Sequence, residues 1–480
     1  MNTMTDAYID QADQSEIILK PNKQYEMAVR IKNGEAGEFI YCMEDDKFYH
    51  YDKGYWQPLY EIDFLGKIQE AISDLTNYAI QSRKSVAENF KILSRRSLTL
   101  FNGIELINLE NGMLSPWDGS IEEHDPIYYS TIRIPYIYDP VAKCGLWEKS
   151  LDEIFESNKE KIGMLQEFFG YCLTRDVKQH KALLLLGESR SGKSTILNLL
   201  RYLVGVNNCS AVPLKYIVNP QNTFMLINKL VNLDPDVSAK AAEFEAEFKT
   251  ITAGDPVHAN PKHIHPFDFI PHCKMVMAAN IFPKITDHSS AFYNRLILLP
   301  CDRVFTPEEQ NRDLPKQLLG ELPGILNWCM AGLRRLTDRG RFEELQFMQD
   351  AVHELEDENN PVNMFFDEHV IVLVDNYTYI EKGDLFGKYK IWCEQTKNYT
   401  LSKARFAACV FKQYHKVTPK STNLENGKRI WKNIMYVEFK SMPEVINEEI
   451  KVQDEITWGQ EGDAESADET VADGVNEGQG

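Results

Sequence analysis

The chain has 480 residues, with 52 Lys plus Arg against 72 Asp plus Glu and a formal net charge of −20. A hydrophobic content of 43%, with 24 Phe, 22 Tyr and 7 Trp, excludes a wholly disordered polymer, and the length suits roughly two to four domains. The acidity alone speaks against a phosphate-rich partner, because such partners are held by Lys and Arg, yet a total averages over units of opposite sign.

Nine cysteines, with no Cys-x-x-Cys pair among them, predict a reduced chain without a disulfide framework or a thiolate zinc site. The polar start MNTMTDAYIDQADQSE and the shortness of apolar runs such as ALLLL at 182–186 predict no secretion signal and no membrane span, hence a cytoplasmic location.

Taken in order, residues 1–35 are polar and expected to be loose. An amino-terminal domain over 36–145 follows. It begins with the alternating pattern FIYCMEDDKFYHYDKGYW from Phe39, short strands around an acidic turn, and continues with helical spacing near 64–80. Asn-Gly pairs at 102 and 111 then punctuate a strand-rich stretch. The segment LWEKSLDEIFESNKEKIGMLQEFFGYCLT reads as helical and leads into a domain over 146–345. There the buried strand runs ALLLL, KLVNL, KMVMAAN and RLILLPC alternate with helices, the pattern of a mainly parallel α/β sheet.

Beyond the acidic connector DAVHELEDENNP lies a small unit over 360–440. Residues 382–440 carry 13 basic and 4 acidic side chains, net +9. Leu385, Tyr389 and Trp392 share one helix face; a second helix is predicted from a Ser402 cap with Phe406, Val410 and Tyr414 inward; a turn at Gly427 precedes the strand IWKNIMYVEF. Helices followed by a basic hairpin outline a winged helix, the alternative being a basic oligomer-packing or lid domain. Residues 444–480, with 12 acids and one Lys, read as a disordered tail.

The sharpest signal is Gly187-Glu188-Ser189-Arg190-Ser191-Gly192-Lys193-Ser194, followed by Thr195, set between an apolar strand and a helix. Two glycines let the backbone wrap a phosphate, so that N–H groups and the helix amino end face it. Lys193 would reach the β- and γ-phosphates of ATP, and the Ser194 hydroxyl would hold Mg²⁺. About 40 residues on, Asp234-Pro235-Asp236 ends a second strand, where a metal and an attacking water need negative charge. Asp234 suits the metal and Asp236 the water, the plain alternative being a strand-ending turn at Pro235. Asn280 ends a third strand and could hold that water, or merely cap a turn; Arg295 precedes a fourth and could reach a neighbouring subunit's nucleotide, or merely form a surface ion pair.

These four motifs, in this order from Lys193 to Arg295, resemble a superfamily 3 helicase of the AAA+ class. The insert FKTITAGDPVHANPKHIHPFDFIPHCKMVMAAN is similar to the hairpin that papillomavirus and polyomavirus replicative helicases push into a central channel. That match implies Lys262 and His263 at a tip gripping the DNA backbone, with Lys249 and Asp255 in the preceding segment and Lys249 a further DNA-binding candidate. A cation and an aromatic donor suit a grip that must not read sequence.

The closer resemblance, over most of the chain from Phe39, is to the poxvirus-type primase-helicase group of phages, plasmids and mobile elements. It implies an AAA+ P-loop ATPase core between an α+β helical amino-terminal domain and a winged-helix-like end. It also implies an ATP- and Mg²⁺-dependent homohexameric 3′–5′ replicative DNA helicase that takes single-stranded DNA in its central channel and could also meet an origin duplex, with a separate primase or single-strand-binding protein as further partners. Ser191 stands where the group often has Asn, and Pro235 interrupts its second acidic motif. About 40 residues precede the resemblance, too few for a catalytic domain, so primer synthesis is not expected. His258, His263, His265, His272 and Cys273 crowd together, but their spacing fits no regular zinc pattern.

Overall fold

A computed structural model describes residues 22–71, 80–237, 244–281, 290–358, 360–373, 378–396, 398, 400–413, 419–420 and 429–438. The four apolar runs all form strands of one sheet, joined by a short fifth that no apolar run announced. They are β1 (Ala182–Leu186), β2 (Cys209–Ser210), β3 (Val231–Asp234), β4 (Lys274–Ala279) and β5 (Leu296–Pro300), hydrogen-bonded in the order β5-β1-β4-β3-β2 and parallel throughout. Both faces are covered, which is why the runs are apolar without alternation. Leu183 and Leu185 enter a core shared with the helices Lys159–Cys172 and Leu322–Arg339, whereas Ala182 and Leu184 enter a second core shared with the helix Glu245–Ala253. The buried Glu167 carboxylate ties two of these helices together by accepting from Arg335 Nε at 2.9 Å and from Arg339.

Leaving β1 through helix α1 (Lys193–Leu203), the chain reaches the far edge at β2, returns through β3 and β4, and passes β1 to β5. Travel thus reverses beside the carboxyl ends of β1 and β4, the place where open α/β sheets offer a ligand crevice.

The amino-terminal unit pairs an antiparallel meander, Phe39–Cys42, Lys47–Asp52 and Tyr55–Leu59, with the helices Glu61–Ala71 and Ile80–Ser94. Phe48 and Phe64 stack at its centre, ring centroids 4.0 Å apart. The expectation of a loose chain to residue 35 is corrected: Lys23–Lys32 is a helix, capped by the Asn22 side chain and burying Met27, Ala28 and Ile31. Three apolar side chains at this spacing suffice to dock an otherwise polar helix. Residues 1–21 lie outside the described residues. The boundary placed at 145 is no break in the core either. Ile107, Leu109 and Leu114 pack in the same cluster as Trp147, Leu151 and the central strands, while Phe39, Phe48, Phe64 and Phe90 form a core of their own.

In the carboxy-terminal unit the helices Pro361–His369, Lys382–Thr396 and Lys403–Gln413 surround Leu385, Tyr389, Trp392, Phe406 and Val410, all buried. The run IWKNIMYVEF forms two strands rather than one. Asn433, at φ +65°, breaks it, so that Ile430–Lys432 pairs with Tyr379–Glu381 and Pro419–Lys420, and Ile434–Tyr436 with Val370–Val372. Tyr414, Gly427 and residues 444–480 fall outside the described residues. Among the described residues, no helix is long and apolar enough to cross a membrane.

Candidate functional site

The glycine-rich loop leaves β1 at its carboxyl end and wraps into the amino end of α1. Gly187 sits so close to Cys301 that a Cβ would lie 2.3 Å from its carbonyl oxygen. Gly192, at φ +88°, adopts the left-handed conformation before the helix, and a Cβ there would meet the Ile154 side chain at 2.7 Å. Arg190 is also left-handed, at φ +67°, and its carbonyl accepts from Phe305 N at 3.0 Å. The loop is therefore clamped from behind by residues 301–305 and from the side by the helix Gly145–Ile154. Its N–H groups and the α1 dipole make a ready anion cradle.

Lys193 is 8% exposed, and its Nζ donates to the carbonyls of Gly187 and Glu188, each at 2.6 Å, and to Ser191 Oγ at 3.1 Å. Burial lowers its pKa, against the opposing pull of Cys301 and Asp236. Ser191 is buried, while Glu188, Ser189, Arg190 and Ser194 are exposed.

Asp234 and Asp236 divide differently from their spacing in sequence. Asp234 is buried, and one carboxylate oxygen accepts from Leu214 N at 2.7 Å. Burial raises its pKa although the N–H groups of Leu214 and Asp236 face it. Asp236 is exposed and within electrostatic reach of Lys193. Asn280 is brought to the loop: β4 pairs with β1 through Ala279 and Leu186, and Asn280 Nδ2 lies 3.3 Å from Ser189 Oγ.

Arg295 stands at the other end of the sheet. Its carbonyl accepts from Ala182 N at 2.8 Å, at the start of β1, so a five-residue strand, about 16 Å, separates it from the loop of its own chain. Its Nη1 donates to Ala291 O at 2.6 Å. The structure thus gathers Lys193, Asp236 and Asn280 and leaves Arg295 apart.

The insert before β4 is a hairpin, as expected. Val257–Ala259 pairs antiparallel with Phe267–Phe269, and Lys262, His263 and His265 lie exposed at the tip, His263 at φ +67°. His258 Nδ1 meets Asp268 Oδ1 at 2.9 Å in matched register, which braces the stem. Lys249 sits on the preceding helix, Glu245–Ala253, rather than at the tip. His272 is turned inward with Nδ1 3.2 Å from Arg175 O, and Cys273 is buried, so the five His and Cys do not converge. Among the described residues no three metal-capable side chains gather. A cavity of about 1030 Å³, lined by Arg175, Val177, Leu230, Phe269 and His272 among others, opens at the amino ends of the strands and touches no loop residue.

Sequence reasoning missed the supports. Leu214, Ile154 and the 301–305 segment carry no motif; the one available signal was that 301–305 leaves a strand next to β1.

Residues 26–156 match the family described as D5 N terminal like, and residues 185–295 match a family of unknown function, DUF5906. The Sputnik virophage protein described as "Putative helicase V13" is 23% identical over 210 residues, which are 40% of this chain and 26% of that protein. The match thus spans about a quarter of that relative's length. Among solved structures, the apo C-terminal region of NrS-1 covers 86% of this chain and 99% of its own at TM-score 0.49 and 12% identity. Its A form gives 0.47 and 11% identity over 85% and 98%. The chain accordingly joins a D5-like amino-terminal region to a parallel α/β sheet and is similar in sequence to a virophage protein named as a helicase.

Proposed function

We propose that this chain is an ATP-dependent DNA helicase of the superfamily 3, AAA+ kind, working as a homohexameric ring. The observation that supports the reading is a single strand with the glycine-rich loop at one end and the exposed hairpin at the other. β4 places Asn280 against the loop at its carboxyl end and begins just after the hairpin that exposes Lys262 and His263. A change at the phosphates then has a short, rigid route to a DNA grip.

In this reading residues 187–195 cradle the phosphates of ATP, and Lys193 exchanges the carbonyls of Gly187 and Glu188 for β- and γ-phosphate oxygens. The Ser194 hydroxyl and the remaining oxygen of Asp234 would hold Mg²⁺, which shields phosphate charge when bound. Asp236 and Asn280 orient the attacking water. Arg295, a strand's length from its own loop, serves the nucleotide of the adjacent subunit, which makes the ring a requirement for turnover. Lys262 and His263 grip one DNA strand in the channel through its phosphates, with Lys249 behind them. Movement 3′ to 5′ and replication of a phage or mobile element, within a cytoplasm and alongside a separate primase or single-strand-binding protein, follow from the family resemblance.

Strand displacement on forked DNA tests the reading. Lys193→Ala abolishes hydrolysis and unwinding together, whereas Lys262→Ala keeps basal hydrolysis and loses unwinding. Normal unwinding by Lys262→Ala sinks the hairpin assignment. DNA-stimulated hydrolysis without displacement by the wild type makes the protein a loader or packaging motor, and hydrolysis near zero with DNA present makes it a nucleotide switch.

A further inference from the structure

We infer that the cavity at the amino ends of the strands is a binding site for a small amphipathic monocarboxylate, its charged end on Arg175 and its apolar body against the root of the hairpin. The inference goes beyond the helicase reading and does not depend on it.

The cavity, about 1030 Å³, stands at the upper end of the roughly 300–1,000 Å³ usual for ligand pockets, and none of the residues assigned to ATP or DNA lines it. It lies where three parts of the chain meet: the loop before Ile107, the turn that leads from the helix Lys159–Cys172 into β1, and the hairpin root at Pro256 and Phe269. Ile107, Ile134, Leu173, Leu230 and Leu336 border it, all buried. Ile104 and Leu106 also line it, half-buried, and join none of the hydrophobic cores formed by the described residues. Protein interiors ordinarily close such side chains against one another. An apolar guest supplies the contacts that these lack.

Arg175 selects the head of that guest. Its Nη1 donates to Phe101 O at 2.7 Å and to Asn102 O, but its Nε is buried without a partner. Burial lowers its pKa to about 10, and no acid pulls the other way. Lys274 is buried as well, its Nζ donating to Thr174 O, and both cations press on His272. One negative oxygen at Nε satisfies the donor and offsets the charge together. Four acids line the cavity, yet three are already engaged: Glu44 accepts from Leu98 N and Ser97 Oγ, Asp176 from Lys178 N, and Asp268 meets His258. The fourth, Glu105, is exposed. Their summed charge repels a multiply charged phosphate ester, so a single carboxylate is the anion that fits.

Calorimetric titration of the full chain with octanoate tests this, with 1-octanol as the uncharged body and acetate as the bare head. Octanoate should saturate one site per chain, and the other two should bind at least about tenfold more weakly. Leu106→Trp fills the space from a half-buried loop position, and Arg175→Met removes the charge while keeping an unbranched side chain. Each should weaken octanoate at least about tenfold, whereas 1-octanol should not respond to Arg175→Met. If Arg175→Met does not fold, Leu106→Trp and amide hydrogen exchange decide the matter on their own. Bound octanoate should slow exchange in the hairpin stem, Val257–Ala259 and Phe267–Phe269, of the wild type. Unsaturable binding overturns the inference, as does equal binding of octanoate and 1-octanol. So does octanoate binding that Leu106→Trp leaves unchanged, or that leaves exchange in the stem as it was. Every readout is taken without DNA or nucleotide, so its failure leaves the helicase reading standing, and failed strand displacement leaves this site standing.

Discussion

The two ends of β4 are built on opposite principles. At the carboxyl end Ala279 O accepts from Gly187 N, Asn280 reaches Ser189, and Gly187 and Gly192 have no room for a methyl group. Shape specifies this end, and most of its groups are already engaged with one another. At the amino end, Lys274 is buried with Nζ donating to Thr174 O and lying 4.5 Å from the Tyr171 ring centre, and beyond it the chain opens into a hairpin whose tip side chains are exposed. Charge specifies that end. The difference separates a closely packed end from an exposed one, joined by six residues of strand.

The comparison breaks most sharply at Gly192. Gly192→Val forces a β-branched residue to φ +88° and drives its Cβ into Ile154, so ATP binding by calorimetry should fall below detection and the melting temperature should drop. Gly192→Ala with Ile154→Ala separates the two causes. Relieving the clash should restore part of the stability, while a strain of about 1 kcal/mol or more from the backbone conformation persists and binding stays weak. Full recovery of binding by the double variant would mean that crowding, not backbone conformation, made glycine necessary.

A smaller and more selective effect should separate the two acids behind the loop. Asp236 is exposed, so Asp236→Asn should cut hydrolysis about a hundredfold or more with little change in melting temperature. Asp234→Ala removes the acceptor of the Leu214 N–H in a buried setting and should cost about 1–3 kcal/mol of stability besides turnover. If both variants lose turnover and neither loses stability, Asp234 is not the brace its hydrogen bonds describe.

What the sequence made legible was whatever is written locally. Four strands appear as apolar runs because both their faces are buried, the loop appears through glycine spacing, and the hairpin through a turn-rich insert between strands. What it hid depends on residues far apart in the chain. Ile154 explains Gly192, Cys301 explains Gly187, and Leu214 explains Asp234, yet none lies within 20 residues on the same motif as its partner except Leu214, which is 20 away. The helix Lys23–Lys32 was hidden for a different reason: three buried side chains in a polar stretch give too weak a pattern to stand out. The break at Asn433 was hidden because a left-handed Asn inside an apolar run looks like an outward-facing polar residue of a continuous strand.

The smallest expected effect lies at the hairpin end and concerns pH. His272, beside buried Lys274, has its pKa pulled down to about 4, chiefly by burial and further by the charges of Arg175 and Lys274. A histidine depressed in the folded state binds its proton only in the unfolded chain between about pH 6.5 and that value, so stability is full above the unfolded pKa and is lost as pH falls toward 4. The slope is at most about 1.4 kcal/mol per pH unit. Asp234 and Asp45, raised by burial, act with the opposite sign, since a raised carboxyl favours the folded state at low pH and loses that advantage as pH rises. The wild-type profile therefore understates the histidine, and the difference between wild type and His272→Phe isolates it. The melting temperature of the wild type relative to His272→Phe should rise between about pH 4 and pH 6.5 and hold level above pH 6.5. Parallel profiles would show that His272 keeps an ordinary pKa, and that the amino end of β4 is as open to solvent as the hairpin tip above it.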